Sequence, residues 1–160
     1  MSLEEFKQAD ATKMPVGKLL YMIGKGYHMY VNHHLSQLNI NVTQLHLLFE
    51  ISQDSNSNQE KIAQRCNINK GAVARSIKKL EDKGIVKRQI DENNRRQNKL
   101  SLTDKGEETL RQCKEILNEW EDKVILDKGY IEKELIQKIL KDIAVKTIEL
   151  NQGECNEQEK

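Results

Sequence analysis

The chain has one proline in 160 residues, few aromatic side chains, and no long apolar run. With so little proline, nothing breaks long helices. Aromatics at 4% beside charged residues at 32% fit a single, well-solvated, mainly helical domain. No apolar stretch approaches the roughly 20 residues that span a bilayer, and the opening MSLEEFKQAD is too acidic for a secretion signal, so a cytoplasmic protein is expected. Cys66, Cys113 and Cys155 are odd in number and share no CxxC spacing. That argues for reduced thiols over a disulfide framework or a zinc knuckle. Also missing are a Gly-rich phosphate loop, a nucleophile elbow and a paired-carboxylate constellation, so the expectation is a protein that is not an enzyme and requires no cofactor.

What the chain has is a charge that is unevenly placed. Its net +1 divides into a middle, Lys61 to Arg111, with 14 Lys/Arg against 7 Asp/Glu, and flanks with 12 against 18. A basic middle between acidic flanks has the form of a phosphate-binding footprint confined to one part of a fold, although lysines that merely solvate helices would give the same count.

Periodicity supplies the elements. After Pro15, the residues Val16, Leu19, Leu20, Ile23, Tyr27, Tyr30, Val31 and Leu35 recur at helical spacing. A second helix starts near Asn41 to Thr43, carries Leu45, Leu48, Phe49 and Ile51, and ends in the polar SQDSNSN. Ser57 to Glu60 has capping-box spacing, which predicts a third helix with Ile62, Ala63 and Cys66 on one face. Asn69 is a good N-cap for the next segment, KGAVARSIKKLEDKG, in which Val73, Ile77 and Leu80 form the apolar stripe and Gly84 the stop.

Two short helices joined by a tight turn predict a helix-turn-helix. The second helix keeps small residues at its leading edge, Gly71, Ala72 and Ala74, so that it can approach base edges in a major groove. Lys70, Arg75, Lys78 and Lys79 lie on or near its polar side, and the amides at Lys70 and Gly71 are expected to be free for a phosphate. Arg75 has the reach for a bidentate contact with guanine. Ser57, Asn58 and Asn69, at the two helix starts, complete this part of the expected DNA-binding set.

Partial alternation in IVKRQID and QNKLSLT, with ENNRR between them, predicts a two-stranded ribbon whose turn exposes Asn93, Asn94, Arg95 and Arg96. Thr103 then caps a helix running from about Asp104 to Asp127. After Gly129 a last helix carries Leu135, Ile136, Ile139, Leu140, Ile143, Ala144 and Ile148, leaving 151–160 as a polar, frayed tail. The fold class is therefore mainly α: a winged helix-turn-helix with a small two-stranded β wing, plus N- and C-terminal helices. The lobe at about 40–104 is expected to read DNA. The segments at about 14–36 and 104–150 have apolar surface to spare for pairing two copies.

In this helix order, in KIAQRCNINKGAVARSIKKLEDKGIVKR, and above all in Asp91, Arg95, Arg96 and LSLTDKG from Leu100 to Gly106, the chain resembles the MarR family of winged-helix transcription regulators. The resemblance extends from about Pro15 to Leu150. Family members usually carry an arginine and an acid where this chain has Asn93 and Asn94, so one wing arginine and its salt partner are missing. The resemblance implies a cytoplasmic homodimer on a pseudo-palindromic DNA duplex, acting as a repressor, with recognition helices in successive major grooves and wings in the flanking minor groove. It also implies control by a small aromatic or phenolic anion. Tyr21, Lys25 and His28, at i, i+4 and i+7 on the first long helix, are the expected ligand-binding residues.

Two other readings stay open on the sequence. One is a helical dimeric protein-interaction module that uses its basic face. The other is a metal-responsive regulator built on His28, His33, His34 and His46, against which His33 and His34 point about 100° apart on a helix.

Overall fold

Asn41, Asn69 and Thr103 start helices at the places expected of them. In a computed structural model of the chain, which describes residues 2–54, 58–66, 68–91, 94–126 and 132–158, the elements run α1 (Leu3–Gln8), α2 (Val16–Gln37), α3 (Val42–Gln53), α4 (Gln59–Cys66), α5 (Lys70–Asp82), β1 (Val86–Asp91), β2 (Asn94–Leu102), α6 (Asp104–Glu121) and α7 (Lys133–Gln158). Side chains at 90, 91, 94–98, 126 and 153–158 are outside that description. The chain forms two compact units, one to Leu117 and one from Asn118.

In the first unit, Pro15 is the residue before α2 and its carbonyl accepts from the Lys18 and Leu19 amides. Only the C-terminal half of α2 enters the core, through Val31 and Leu35. The helix stops at Asn39, whose φ of 55° lies in the left-handed region that asparagine tolerates. At the start of α3, Gln44 N–H donates to Asn41 Oδ1 at 2.8 Å and Asn41 N–H to Gln44 Oε1 at 3.2 Å, a reciprocal capping box. Leu45, Leu47, Leu48 and Ile51 of α3 then meet Ile62 and Ala63 of α4, Val73, Ile77 and Leu80 of α5, and Leu110 and Cys113 of α6 in one buried cluster. The wing joins this core at its base through Val86 and Leu100. Burial pushes the Cys113 thiol up to about 11, so it stays protonated at neutral pH and serves as a small apolar core residue.

β1 and β2 pair antiparallel, from Val86 opposite Leu102 to Ile90 opposite Asn98, after which the register shifts so that Asp91 faces Asn94. Strand β2 begins at Asn94, three residues past Asp91, so Arg95 and Arg96 belong to that strand. The sequence pattern had placed them on the turn. Polar side chains do not prevent backbone pairing, and the ladder includes Asn98 and Asn94.

The second unit continues α6 to Glu121 and then a π-helical turn, Asp122–Leu126, in place of a regular helix to Asp127. Ion pairs Lys123 to Glu119 and Lys133 to Glu121 tie this stretch together. Helix α7 extends past Leu150 to Gln158, into the stretch 151–160 expected to be a frayed tail. The added residues lack proline and are rich in Glu and Gln, whose helix propensity outweighs the single Gly153. Helix α1 is a further element the apolar pattern did not show. It is set by a capping box in which Glu5 N–H donates to Ser2 Oγ at 3.2 Å and Ser2 N–H to Glu5 Oε2 at 2.7 Å.

Candidate nucleic-acid interface

Helix α4 starts one residue later than its sequence signature suggests. Asn58 is the cap, taking the Lys61 amide on Oδ1 at 2.9 Å, while Ser57 lies outside the described residues. Counted from Asn58, Glu60 is one position too early to reach back to the cap. Its carboxylate turns across the helix-turn-helix to Lys70 Nζ at 2.5 Å. The hydrogen bond from Lys70, and then its charge, hold the Glu60 carboxyl below the usual carboxylate range.

The cap at Asn69 forms as its sequence predicts, and it uses a group expected to be free. Gly71 N–H donates to Asn69 Oδ1 at 2.9 Å, so that amide is not available to a phosphate. A Cβ on Gly71 would lie 3.1 Å from the same oxygen and 3.5 Å from Arg75 Nη1. The first of these is tighter than ordinary contact, so glycine here leaves room for the cap to close, while the second is ordinary contact.

From that start, α5 divides cleanly. Val73, Ile77 and Leu80 are fully buried. Asn69, Lys70, Gly71, Arg75, Lys78 and Lys79 are exposed, with Ala72 and Ala74 half-buried between them. The exposed cations are not equivalent. Lys70 is paired with Glu60, and Lys78 with Asp82 at 2.8 Å, a contact whose hydrogen bond and charge raise the Lys78 ammonium above its ordinary value. Arg75 and Lys79 carry no ion pair among the described residues and are the cations of this face that are open to a phosphate or a base. Sequence spacing could have shown the Lys78 to Asp82 pair, since the two are at i, i+4. It could not show Glu60 to Lys70, which spans the turn.

Behind this face the junction after α5 is anchored to α6. Gly84, at φ +67°, turns the chain out of α5. Thr103 Oγ1 donates to the Gly84 carbonyl at 2.6 Å and accepts the Gly106 amide at 3.1 Å, and Lys105 Nζ donates to the Lys83 carbonyl at 2.7 Å. Lys83 Nζ in turn donates to the Asn39 carbonyl. Arg88 of β1 pairs with Glu81 of α5 at 2.7 Å, fixing the wing base to the second helix. Arg65 of α4 is held by Asp54 at 3.2 Å and Glu50 at 3.6 Å. None of these anchors was among the expected site residues.

On the wing, Asn94, Arg95 and Arg96 are placed by backbone only, in β2, and Asn93 lies outside the described residues. The expected ligand residues Tyr21, Lys25 and His28 are all exposed along α2, and His28 is hydrogen-bonded to Asn32 Nδ2 at 2.9 Å. His34 stacks on Tyr30 with ring centroids 4.1 Å apart, and its Nδ1 is 2.9 Å from the Tyr30 carbonyl. Among the described residues no group of three His, Cys, Asp or Glu side chains comes together to hold a metal ion. Burial, and then Glu50, raise the Cys66 thiol, the reverse of what a reactive cysteine needs.

Comparison with known proteins agrees with this geometry. Residues 40–97, the stretch that holds α3, α4, α5 and most of the wing, match the MarR family. The HTH-type transcriptional regulator BilQ of Clostridium symbiosum (strain WAL-14163) is 28% identical over 99 residues, covering 62% of this chain and 69% of that one. A crystal structure of MarR superposes with a TM-score of 0.74 at 26% identity, covering 90% of this chain and 97% of the other. A MarR transcriptional regulator from Methanosarcina mazei Go1 gives 0.71 at 28% identity, covering 84% and 97%.

Proposed function

We propose, from the premise that this chain is a MarR family winged helix-turn-helix transcription regulator, that it works as a homodimeric, ligand-responsive repressor on a pseudo-palindromic DNA site. The observation that carries the DNA-reading step is the division of α5: an apolar face fully buried, and opposite it an exposed face whose unpaired cations are Arg75 and Lys79. A helix of this kind fits a major groove, with Gly71 and Ala72 at its leading end close to the bases and Arg75 able to reach a guanine. The wing, with Arg95 and Arg96 in its second strand, lies next along the duplex and reaches a minor groove.

Arg75→Ala tests this assignment directly. The substitution should cost about 1–3 kcal/mol at the chain's selected duplex while leaving binding to unrelated duplex mostly intact. Fluorescence anisotropy on both duplexes separates the cases: equal losses on the two remove Arg75 from base reading.

The dimer is supported by apolar surface that each unit leaves uncovered. In the first unit Val16 is 64% and Ile23 56% exposed on α2, and in the second Ile139 is 51% and Ile148 55% exposed on α7. Such stripes on long helices bury themselves against a second copy. Segments at about 14–36 and 104–150 are accordingly assigned to dimerisation and the lobe at about 40–104 to DNA. Analytical ultracentrifugation at micromolar concentration should show a dimer, and a monomer there would overturn this architecture.

A further inference from the structure

We infer that Arg88 is a positioning residue for DNA reading: it locks the wing at one inclination to the two helices of the helix-turn-helix, and so sets which flanking sequence the wing reads. The second part rests on the function proposed above. Arg88 stands where the strand pattern calls for an apolar side chain. On β1 it is two residues from Val86, and across the ladder the two are opposite Leu100 and Leu102, so all four lie on one side of the ribbon. Val86 and Leu100 are buried there, 3% and 0% exposed. An arginine on that face is tolerated only where acceptors meet its donors.

Two helices supply those acceptors. Arg88 Nε donates to Glu81 Oε1 near the end of α5 at 2.7 Å, in a pair whose side chains are only 32% and 19% exposed. Gln59, the first residue of α4, meets the Nη end of the same guanidinium. With its amide turned so that both its oxygen and its nitrogen have suitable neighbours, Gln59 Oε1 accepts from Nη2 at 2.7 Å and from Nη1 at 3.3 Å. One rigid, planar group therefore ties the start of α4, the end of α5 and strand β1 together. By contrast, Lys78 and Asp82 sit on one helix, and their pair sets no angle between elements.

A two-stranded ribbon is marginally stable alone, so the direction of this wing comes from what its base rests on. Val86 and Leu100 hold the base by apolar contact, which is non-directional, whereas the guanidinium adds bonds that fix an angle. Arg95 and Arg96 lie farther along the ribbon, so a small turn at the base is a larger displacement there. Arg88 thus acts on the readout through the wing, with no contact of its own to DNA.

Two measurements on the full chain test this. Without DNA, hydrogen exchange of the β1 amides should speed up by about tenfold in Arg88→Met and in Arg88→Lys, with the amides of Val73 to Leu80 unchanged. Lysine keeps the charge but presents no fixed fork to two acceptors, so wild-type exchange in Arg88→Lys overturns the clamp. With DNA, fluorescence anisotropy compares duplexes that share the selected core and carry either A·T-rich or G·C-rich flanks. The wild-type chain should prefer the A·T-rich flanks, and equal affinity for the two overturns the inference. Arg88→Met and Glu81→Ala should each lower that preference by about fivefold, while discrimination between selected and unrelated cores stays within about twofold. Adding Arg96→Ala to Arg88→Met should lower it by no more than about twofold further, because the wing is already misdirected. A guanidinium that contacted DNA itself would be freed by Glu81→Ala, so a preference kept or raised in that variant overturns the positioning role. Gln59→Ala, which removes only the α4 contact, takes the place of Arg88→Met if that variant does not fold, and wild-type exchange and flank preference there overturn the clamp. Faster exchange in a chain that binds no duplex keeps the clamp and loses the regulator, whereas duplex binding with unchanged exchange loses only the clamp.

Discussion

Gly106→Ala should destabilise the chain by about 3 kcal/mol or more, a larger effect than any surface substitution considered above. Gly106 is buried in the first turn of α6, and a Cβ there would fall 2.1 Å from the Ile85 carbonyl oxygen and 3.2 Å from Leu102 Cβ. The first of these is backbone and cannot rotate away. The same carbonyl accepts the Thr103 amide at 3.1 Å, so separating it from α6 also breaks the link between α6 and the end of α5. Urea denaturation should show a lower midpoint with an unchanged slope, and duplex binding should fall even under conditions where the variant is folded. Gly24→Ala is the contrast, compared with Gly106→Ala at equal and low chain concentration because Gly24 lies in the segment assigned to dimerisation: nothing in its own chain lies within 4 Å of the added carbon, and glycine inside a helix is the weaker helix former. It should be neutral or stabilising by up to about 1 kcal/mol. Equal stability of the two variants would falsify the claim that α6 and the α5 exit are held in contact at this point.

The second large effect is on salt dependence. If two copies together cover about six phosphates, duplex affinity should fall about a thousandfold between roughly 50 and 200 mM salt, because each contact releases a condensed counterion. Lys79, Arg95 and Arg96 of each copy are the residues assigned to those contacts, with Arg75 kept for the base. Log affinity against log salt gives the number directly. A flat line would mean that phosphates do not drive binding, and with it the DNA reading would fail.

Much of the architecture was legible because it is written in local chemistry. Asn41, Asn69 and Thr103 cap helices, Gly84 takes positive φ, and Val73, Ile77 and Leu80 recur at the spacing that buries one face. These features depend on residues a few positions apart, which a single sequence displays. Helix α1 was legible too, in the Ser2 to Glu5 spacing, but at six residues it has no apolar period to attract notice. What could not be read were contacts between distant segments: Glu60 across the turn to Lys70, Thr103 against the Gly84 carbonyl, and Ile51 and Leu110 joined in one buried cluster. Serine and asparagine are near-equal caps, so SNQE offers two starts, and the chain takes Asn58.

The ion pairs on α5 bear on how such a protein finds its site. Lys70 and Lys78 each have a carboxylate already at hand, Glu60 and Asp82, that occupies the place a phosphate would take. On the reading proposed above, random duplex would have to displace these carboxylates for little gain, whereas a matching duplex would also gain the base contact proposed for Arg75. The protein would then compete with DNA for its own lysines. That would shorten its stay on irrelevant sequence among the very large number of wrong sites in a genome.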